Sequence, residues 1–493
     1  MTMAVVSVFA MSAKPAVATD IDKTHARKVA AYFMASQKGD KAITESSMRE
    51  VWAMPNEVSG TPALYVFNTA DERGFVVVSG SDCISPIVAY STEGAFDPED
   101  IAPAFRWWLE QVAAPIAYAQ NEGLEADAEV SEEWRVLDEE RLPYFGQNSK
   151  EVIKLLSTTW NQEPLYNDLC PSDDGGKSVT GCVATAMAQI IRYWEYPHVG
   201  RYTHSYKWNG QTLTVDYSST YYDYDLMPNS LSSSSSDEEI YATAQLNYHC
   251  GVAVDMSYSS YMSGAVSQNV PPALYKYFKY EKDSMQLISR SESRFRNNNS
   301  QTAPNAKDTL WVNTIKDQIM MGRPVYYTGC DPDPSSGKDA RHAFVCDGWN
   351  TSTKTLHFNW GWGGKGDTWC NAYISKLKSG SSAYAYNFTT EHNAIIGITP
   401  PKDSIQSSAA IATVENPFAR EIYPNPASEQ VTVSYRLTGN SSTTMQVLDA
   451  TGRLVKEVRV SPAEMEVRLS VADLRPGVYF CRLQGFSKKF VVR

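Results

Sequence analysis

Scarcity frames this 493-residue chain. Its eight cysteines, at positions 83, 170, 182, 250, 330, 346, 370 and 481, are too few and too scattered for a disulfide-built scaffold. None forms a CxxC pair of the kind that holds zinc, so neither metal nor other cofactor is implied. No stretch beyond the first residues approaches the ~18 consecutive apolar residues of a membrane span. Basic residues are in deficit, 44 Lys and Arg against 56 Asp and Glu; the net charge of −12 leaves nucleic-acid binding without electrostatic support.

What is present points to folded domains. The chain is 43% apolar with 29 Tyr, 16 Phe and 12 Trp, which excludes a wholly disordered, collagen-like or coiled-coil protein. Its length exceeds what one core usually serves, so two to four domains are expected. Charge divides it: residues 19–148 hold 23 acidic against 10 basic residues, 149–400 hold 24 against 21, and 401–493 hold 9 against 12. Val5 to Met11 form a short apolar run and Ala16-Val17-Ala18 reads as a cleavage site before Thr19. Residues 1–18 are therefore expected to be a signal peptide, lacking its basic n-region as a leader truncated at its start would.

Hydrophobic periodicity predicts a helix over His25–Gln37, strands over Ala63–Asn68 and Gly74–Gly80, and a second helix over Ala104–Ala119. From Glu122 to Glu140 nine acidic residues face only Arg135, which reads as an exposed acidic helix or linker. A new unit starts near Glu151, with helices over about Val179–Tyr196 and from about Glu238. Ser232–Ser236 and Asn297–Lys307 read as surface insertions. After a polar linker over 401–420, short alternating runs between Gln430 and Arg493, separated by turns such as Pro476-Gly477, predict a small β-sandwich.

Chemistry concentrates in the middle unit. Thr180-Gly181-Cys182 stands directly before Val183, Met187, Ile190, Ile191 and Trp194, which share one helical face, so Cys182 opens a buried helix. There the macrodipole and unpaired N–H groups favour a thiolate, although a small buried core cysteine suits the same pattern. A nucleophile needs a base, and the chain offers seven histidines. His342 begins the run to Trp349, and Thr355 to Trp360 follows at once as the second arm of a hairpin. With the turn centred between Asn350 and Thr351, His342 would face Asn359, whose amide would orient the imidazole. Trp360 would cover that bond from water, and Gly361, Gly363 and Gly364 would let a substrate backbone approach. Gln162, twenty residues before Cys182, would supply an oxyanion donor beside the Cys182 N–H.

At these residues the chain resembles the streptopain family of papain-like cysteine peptidases. The resemblance is carried by Trp160-Asn161-Gln162 with Tyr166-Asn167, Thr180 to Ile190, His342-Ala343-Phe344-Val345, and Asn359-Trp360-Gly361-Trp362-Gly363-Gly364, in the family's order over most of 151–400. It implies an α+β papain-like catalytic domain in which Cys182 is the nucleophile, His342 the general base and acid, and Gln162 an oxyanion donor. Asn359 and Trp360 match the family's Asn-Trp pair, and Ser263 and Gly264 sit where part of the substrate wall is expected. Arg341 stands where the family usually has glycine, which would narrow or charge the cleft.

Leu64 to Phe67 and Gly74 to Asp82 resemble the family's inhibitory propeptide, implying a zymogen with an α+β prodomain over 19–148, a catalytic domain over 149–400 and cleavage within Gly146–Lys150. Pro424-Asn425-Pro426, Asp449 to Arg453, Gly477-Val478-Tyr479 and the terminal Lys489 to Arg493 resemble the type IX secretion sorting domain. That tail, residues 421–493, implies export through the periplasm of a Bacteroidota-type bacterium by outer-membrane secretion machinery, to the medium or the cell surface. The reading is a secreted cysteine endopeptidase acting on protein or peptide substrates, with its own propeptide as intramolecular inhibitor. A catalytically inactive surface adhesin and a papain-fold acyltransferase are the alternatives.

Overall fold

The computed structural model describes residues 20–123, 126, 128–140, 152–290, 305–330, 341–371, 392–401, 404, 422–435, 443–449, 454–461, 466–483 and 486–493. The expected leader, the junction Gly146–Lys150 and the loop 331–340 lie outside them. The chain forms two units, residues 1–405 and 406–493. Among the described residues no helix is long and apolar enough to cross a membrane.

The first unit is α+β and is built on one antiparallel sheet of eleven strands. Four come from the N-terminal segment, in the order Met48–Met54, Leu64–Thr69, Phe75–Ser79 and Ile87–Ser91. The sheet then continues through Thr368–Asn371, Thr355–Asn359, Arg341–Asn350, Val325–Cys330, Asn393–Ile396 and Gln286–Ser289, with Val152–Lys154 paired to the far end of Arg341–Asn350. The seam is narrow: Tyr90 pairs with Trp369 and Ala89 with Cys370. The expected strand pair is present, and its register is fixed because Leu64–Phe67 and Phe75–Val78 are buried on both faces.

Helices cover the two faces. α1 (Lys23–Lys38) is capped by Asp22, whose side chain accepts from the N–H groups of Thr24 and His25, and it ends at left-handed Gly39. α2 (Pro103–Glu122) starts on a proline at its first position and buries Phe105, Trp107, Trp108, Leu109, Val112 and Ile116. α3 (Ala128–Asp138) lies in the acidic stretch, and it is not merely an exposed linker. Val130, Trp134 and Leu137 are buried with α1, and Trp134 Nε1–H donates to the Ile84 carbonyl (2.8 Å). A high charge count hides three well-spaced apolar residues.

In the middle of the chain, α4 (Cys182–Trp194) is buried almost all round, and α5 (Asp237–Ala253) packs against it. α6 (Val270–Tyr277) and α7 (Asn305–Met320) follow. The serine run before α5 is an exposed turn that ends in a capping box: Ser236 Oγ accepts from Glu239 N–H and Glu239 Oε2 accepts from Ser236 N–H.

One hydrophobic core unites the N-terminal segment with the rest of this unit. Phe75, Val77, Val88, Phe105 and Trp108 share it with Phe344, Phe358 and Trp360. Phe105 stacks on Trp360 with ring centroids 5.4 Å apart. Trp107 fills the space over Gly329, where an added Cβ would lie 2.1 Å from the indole. The second unit is a separate sandwich. Gln430–Ser434 pairs with Glu466–Ser470, a four-stranded sheet runs Leu454–Val460, Thr443–Asp449, Gly477–Leu483, Phe486–Val492, and Val431, Val433, Met445, Val447 and Phe490 fill its core.

The socket under Trp107 can be tested by crowding it. Gly329→Ala is expected to cost about 1–3 kcal/mol through overpacking and to lower the melting temperature of the intact chain by several degrees. In a Trp107→Ala background that loss should shrink by at least half, because the clashing ring is gone. Equal losses in both backgrounds, read by thermal denaturation, would show that Trp107 is not what Gly329 accommodates.

Candidate active site

Cys182 is the first residue of α4, and Gly181 before it carries φ 83°, a left-handed backbone that suits glycine. A Cβ at Gly181 would lie 2.9 Å from the Ser263 carbonyl oxygen and 3.0 Å from the Met256 sulfur, so the turn leaves no room for a side chain. Thr180 ties this turn to Gln162: its N–H and its hydroxyl both donate to the Gln162 carbonyl, at 3.2 and 3.3 Å. Gln162 is half-buried, and its main chain is thereby fixed two residues from Cys182.

His342 lies on the strand Arg341–Asn350, half-buried and opposite Gly329. The next backbone N–H, that of Ala343, faces the Cys182 thiol. The fold thus brings Cys182, His342 and Gln162 to one place from three distant parts of the chain. The N–H groups of Ala343, Val183 and Cys182 favour the thiolate, yet burial outweighs them and pushes the thiol up. This reverses the direction expected from a helix N-terminus alone. Burial likewise raises the thiols of Cys170 and Cys481, each to about 12.

Asn359 does not face His342. The hairpin turn is longer than expected, Thr351–Lys354, with Asn350 Oδ1 accepting from Ser352 N–H (2.9 Å) and Lys354 left-handed at φ 52°. A bulge between Cys346 and Gly348 takes back one position of that shift, and Asn359 pairs with Val345. Its amide is fully engaged elsewhere. Nδ2 donates to the Thr158 carbonyl (2.7 Å) and to Gln189 Oε1 (3.2 Å), while Oδ1 accepts from Gln189 Nε2 and from Gly361 N–H, both at 3.0 Å.

Gln189 is the residue that sequence reasoning missed. It is completely buried on α4, two turns beyond Cys182, and its Oε1 also accepts from the Thr158 hydroxyl (2.9 Å) and the Trp160 N–H (3.2 Å). A glutamine seven positions after the cysteine, inside the run Val183–Ile191 that Thr185 alone otherwise interrupts, is the signal that could have found it.

The remaining expected site residues divide. Trp360 is buried in an aromatic stack with Phe105, Phe344 and Phe358, so it covers the core rather than lining an open cleft in the intact chain. Ser263 is buried and turned inward: its hydroxyl donates to the Val179 carbonyl (2.7 Å) and accepts from Ser259 N–H (2.9 Å). Gly264 is exposed and faces open space, flanked by the outstanding side chains of Tyr261 and Met262, 85% and 56% exposed. Arg341 pairs with Cys330 through the backbone; its side chain lies outside what is described.

Two outcomes follow. Gln189→Ala and Asn359→Ala should each cost about 1–3 kcal/mol by orphaning buried amide groups, and the double variant should fall short of their sum by at least about 1 kcal/mol. Additive losses in denaturant titration would mean that the two amides do not act as a unit. With its thiol pushed up, Cys182 in the intact chain should alkylate slowly at pH 7 and faster toward pH 9 and above. A rate maximum at mildly acidic pH in the intact chain, mapped by mass spectrometry, would contradict this.

Comparison with known proteins supplies the context. Residues 160–370 match the Peptidase C10 family, residues 18–131 the Spi protease inhibitor, and residues 421–493 the secretion system C-terminal sorting domain. Streptopain of Streptococcus pyogenes is 28% identical over 403 residues, 79% of this chain and 91% of its own. The thiol protease/hemagglutinin PrtT of Porphyromonas gingivalis is 29% identical over 392 residues, 77% of this chain; the match spans 42% of PrtT. Among solved structures, a prointerpain A fragment of Prevotella intermedia superposes with a TM-score of 0.54 at 27% identity, covering 72% of this chain and all but 1% of that one, since 99% is matched. Active interpain A is 32% identical with 95% of that chain covered and a TM-score of 0.41. The sorting domain places the protein on the type IX secretion route, released or held at the cell surface. The chain belongs to the Peptidase C10 family of cysteine peptidases and carries its own inhibitory propeptide.

Proposed function

We propose that Cys182 attacks the scissile peptide carbonyl while His342 takes the thiol proton and delivers it to the leaving amine. The N–H of Cys182 and the side-chain amide of Gln162 hold the oxyanion. Water, activated by His342, then hydrolyses the thioester and restores the thiol. The observation that carries this reading is the convergence at the start of α4: the Ala343 N–H against the Cys182 thiol, and the Gln162 carbonyl bonded by Thr180. Asn359 serves the same site at one remove, by holding Gln189 and the Gly361 N–H. Gly264, with Tyr261 and Met262, forms the exposed wall that meets a protein or peptide substrate.

The N-terminal segment, from 19 to about 148, is the intramolecular inhibitor, and packing rather than charge holds it. Truncating a buried ring such as Phe105 or Trp107 costs about 3–5 kcal/mol. Exposed pairs such as Lys365 with Asp100, roughly half-exposed on both sides, contribute about 0–1 kcal/mol. Latency should therefore persist in high salt. Cleavage near 146–150 would start the mature enzyme, which the enzyme itself performs, and the tail from 421 engages the secretion machinery without contributing to catalysis.

The test uses two variants of the full chain. Cys182→Ala should persist as precursor while wild type shortens, and active enzyme added in trans should release its catalytic domain. Gln162→Ala should lower kcat by about 10²-fold or more with little change in KM, because an oxyanion donor acts chiefly in the transition state. Maturation of pure Cys182→Ala at the wild-type rate would overturn the nucleophile, and a wild-type kcat in folded Gln162→Ala would remove that residue from the site.

A further inference from the structure

Asp367 is a buried carboxylate that the reaction above does not use. It closes the glycine-rich loop that starts at Trp360, and it does so from both ends. Its Oδ1 accepts the Trp360 N–H (3.0 Å), and its own N–H donates to the Gly364 carbonyl (3.2 Å). Its other oxygen, Oδ2, is buried and has no hydrogen-bond partner among the described residues. A carboxylate buried with one oxygen unpartnered is costly, so it must be retained against that cost by what the other oxygen holds.

What it holds reaches the chemistry. Gly361, Gly363, Gly364 and Gly366 all take left-handed backbones, at φ 68°, 67°, 80° and 75°, so the loop has little intrinsic stiffness. Three bonds locate it: Trp360 N–H on Asp367, Gly361 N–H on Asn359 Oδ1, and Gly363 N–H on the Trp160 carbonyl (3.1 Å). The last lies two residues from Gln162. A loop that shifts at Trp360 therefore moves the segment presenting the oxyanion donor.

The charged neighbours of Asp367 are His357, Lys154 and Asp347. His357 Nδ1 is 2.6 Å from Asp347 Oδ1, and Asp347 Oδ2 accepts from Leu156 N–H (3.2 Å), so that second carboxylate is well partnered. For Asp367, burial raises the carboxyl to about 6; His357, the Trp360 N–H and Lys154 pull it back, and Asp347 adds to the rise.

We propose that Asp367 is a positioning residue: its ionised carboxylate clamps the Trp360–Gly366 loop against the Trp160–Gln162 segment, and protonation loosens the clamp. This rests on the Cys182 reading of the site and adds a second acid-side dependence to it. The sign for stability is opposite to that for activity. A carboxyl raised in the folded state destabilises the fold at pH above its folded value, and this penalty disappears below the unfolded value of 3.8. The ionised group thus costs stability where it supports function.

Asp367→Asn keeps an oxygen for the Trp360 N–H but cannot ionise, so it mimics the protonated state. A charge-assisted bond is roughly twice as strong as a neutral one, which sets the expected loss at about fivefold in kcat. Activity of matured enzyme should be measured from pH 5 to 8. The wild-type to Asp367→Asn ratio in kcat should be about five at pH 7.5 and fall toward one as pH drops through about 6. In full-length Cys182→Ala, which does not process itself, Asp367→Asn should raise the melting temperature at pH 7.5 and leave it unchanged near pH 4. Asp367→Ala should lose kcat at every pH. A ratio that stays constant with pH, or an Asp367→Asn precursor less stable than its parent at pH 7.5, overturns the clamp. If instead Cys182→Ala keeps peptidase activity, the underlying site reading fails, and the two failures are distinguishable.

Discussion

A single buried amide organises the candidate site. Gln189 joins α4 to the Thr158–Trp160 segment and to Asn359, with three bonds accepted at Oε1 and one donated from Nε2. Each partner is itself buried, so loosening one bond would orphan another, and such reciprocal networks are stiff. Cys182 lies two turns away on the same helix, Gln162 two residues from Trp160, and Gly361 two residues from Asn359. Cys182, Gln162 and the glycine loop are therefore all referred to one side chain, which in the proposed reaction touches none of the reacting atoms.

Local features of this protein were legible because local physics determines them. The apolar stripe after Cys182, the paired strands around Phe67 and Phe75 and the tail's alternating runs each appear close to where periodicity puts them. What failed depended on non-local geometry. A four-residue turn and one bulge, neither visible in the pattern, move Asn359 from His342 to Val345. Charge counting across 122–140 concealed Trp134, whose partner Ile84 lies fifty residues away. Gln189 was visible only as a polar outlier, and its role required knowing that Thr158 and Asn359 meet it.

The inhibitory segment shares both sheet and core with the enzyme it restrains. Among the described residues two pairs carry the sheet across the seam, too few to hold the layers by hydrogen bonding. The aromatic side chains of α2 supply the rest, with Phe105 on Trp360 and Trp107 over Gly329, directly opposite His342 in the ladder. The segment thus leans on the strands that carry His342 and Asn359. Its removal would uncover apolar surface on the strands that carry His342 and Asn359.

The state of the nucleophile follows from comparing two magnitudes. A helix N-terminus favours an adjacent anion by about 0.3–1 kcal/mol, up to ~2 kcal/mol when partly buried. Burial of an ionisable group shifts it by up to about 3–5 pH units, each worth about 1.4 kcal/mol. In the intact chain burial outweighs the three N–H groups that face Cys182 and pushes the thiol up. Relieving that burial reverses the balance. The helix N-terminus cannot do this alone, but it ensures that once burial is relieved the remaining fields all favour the thiolate.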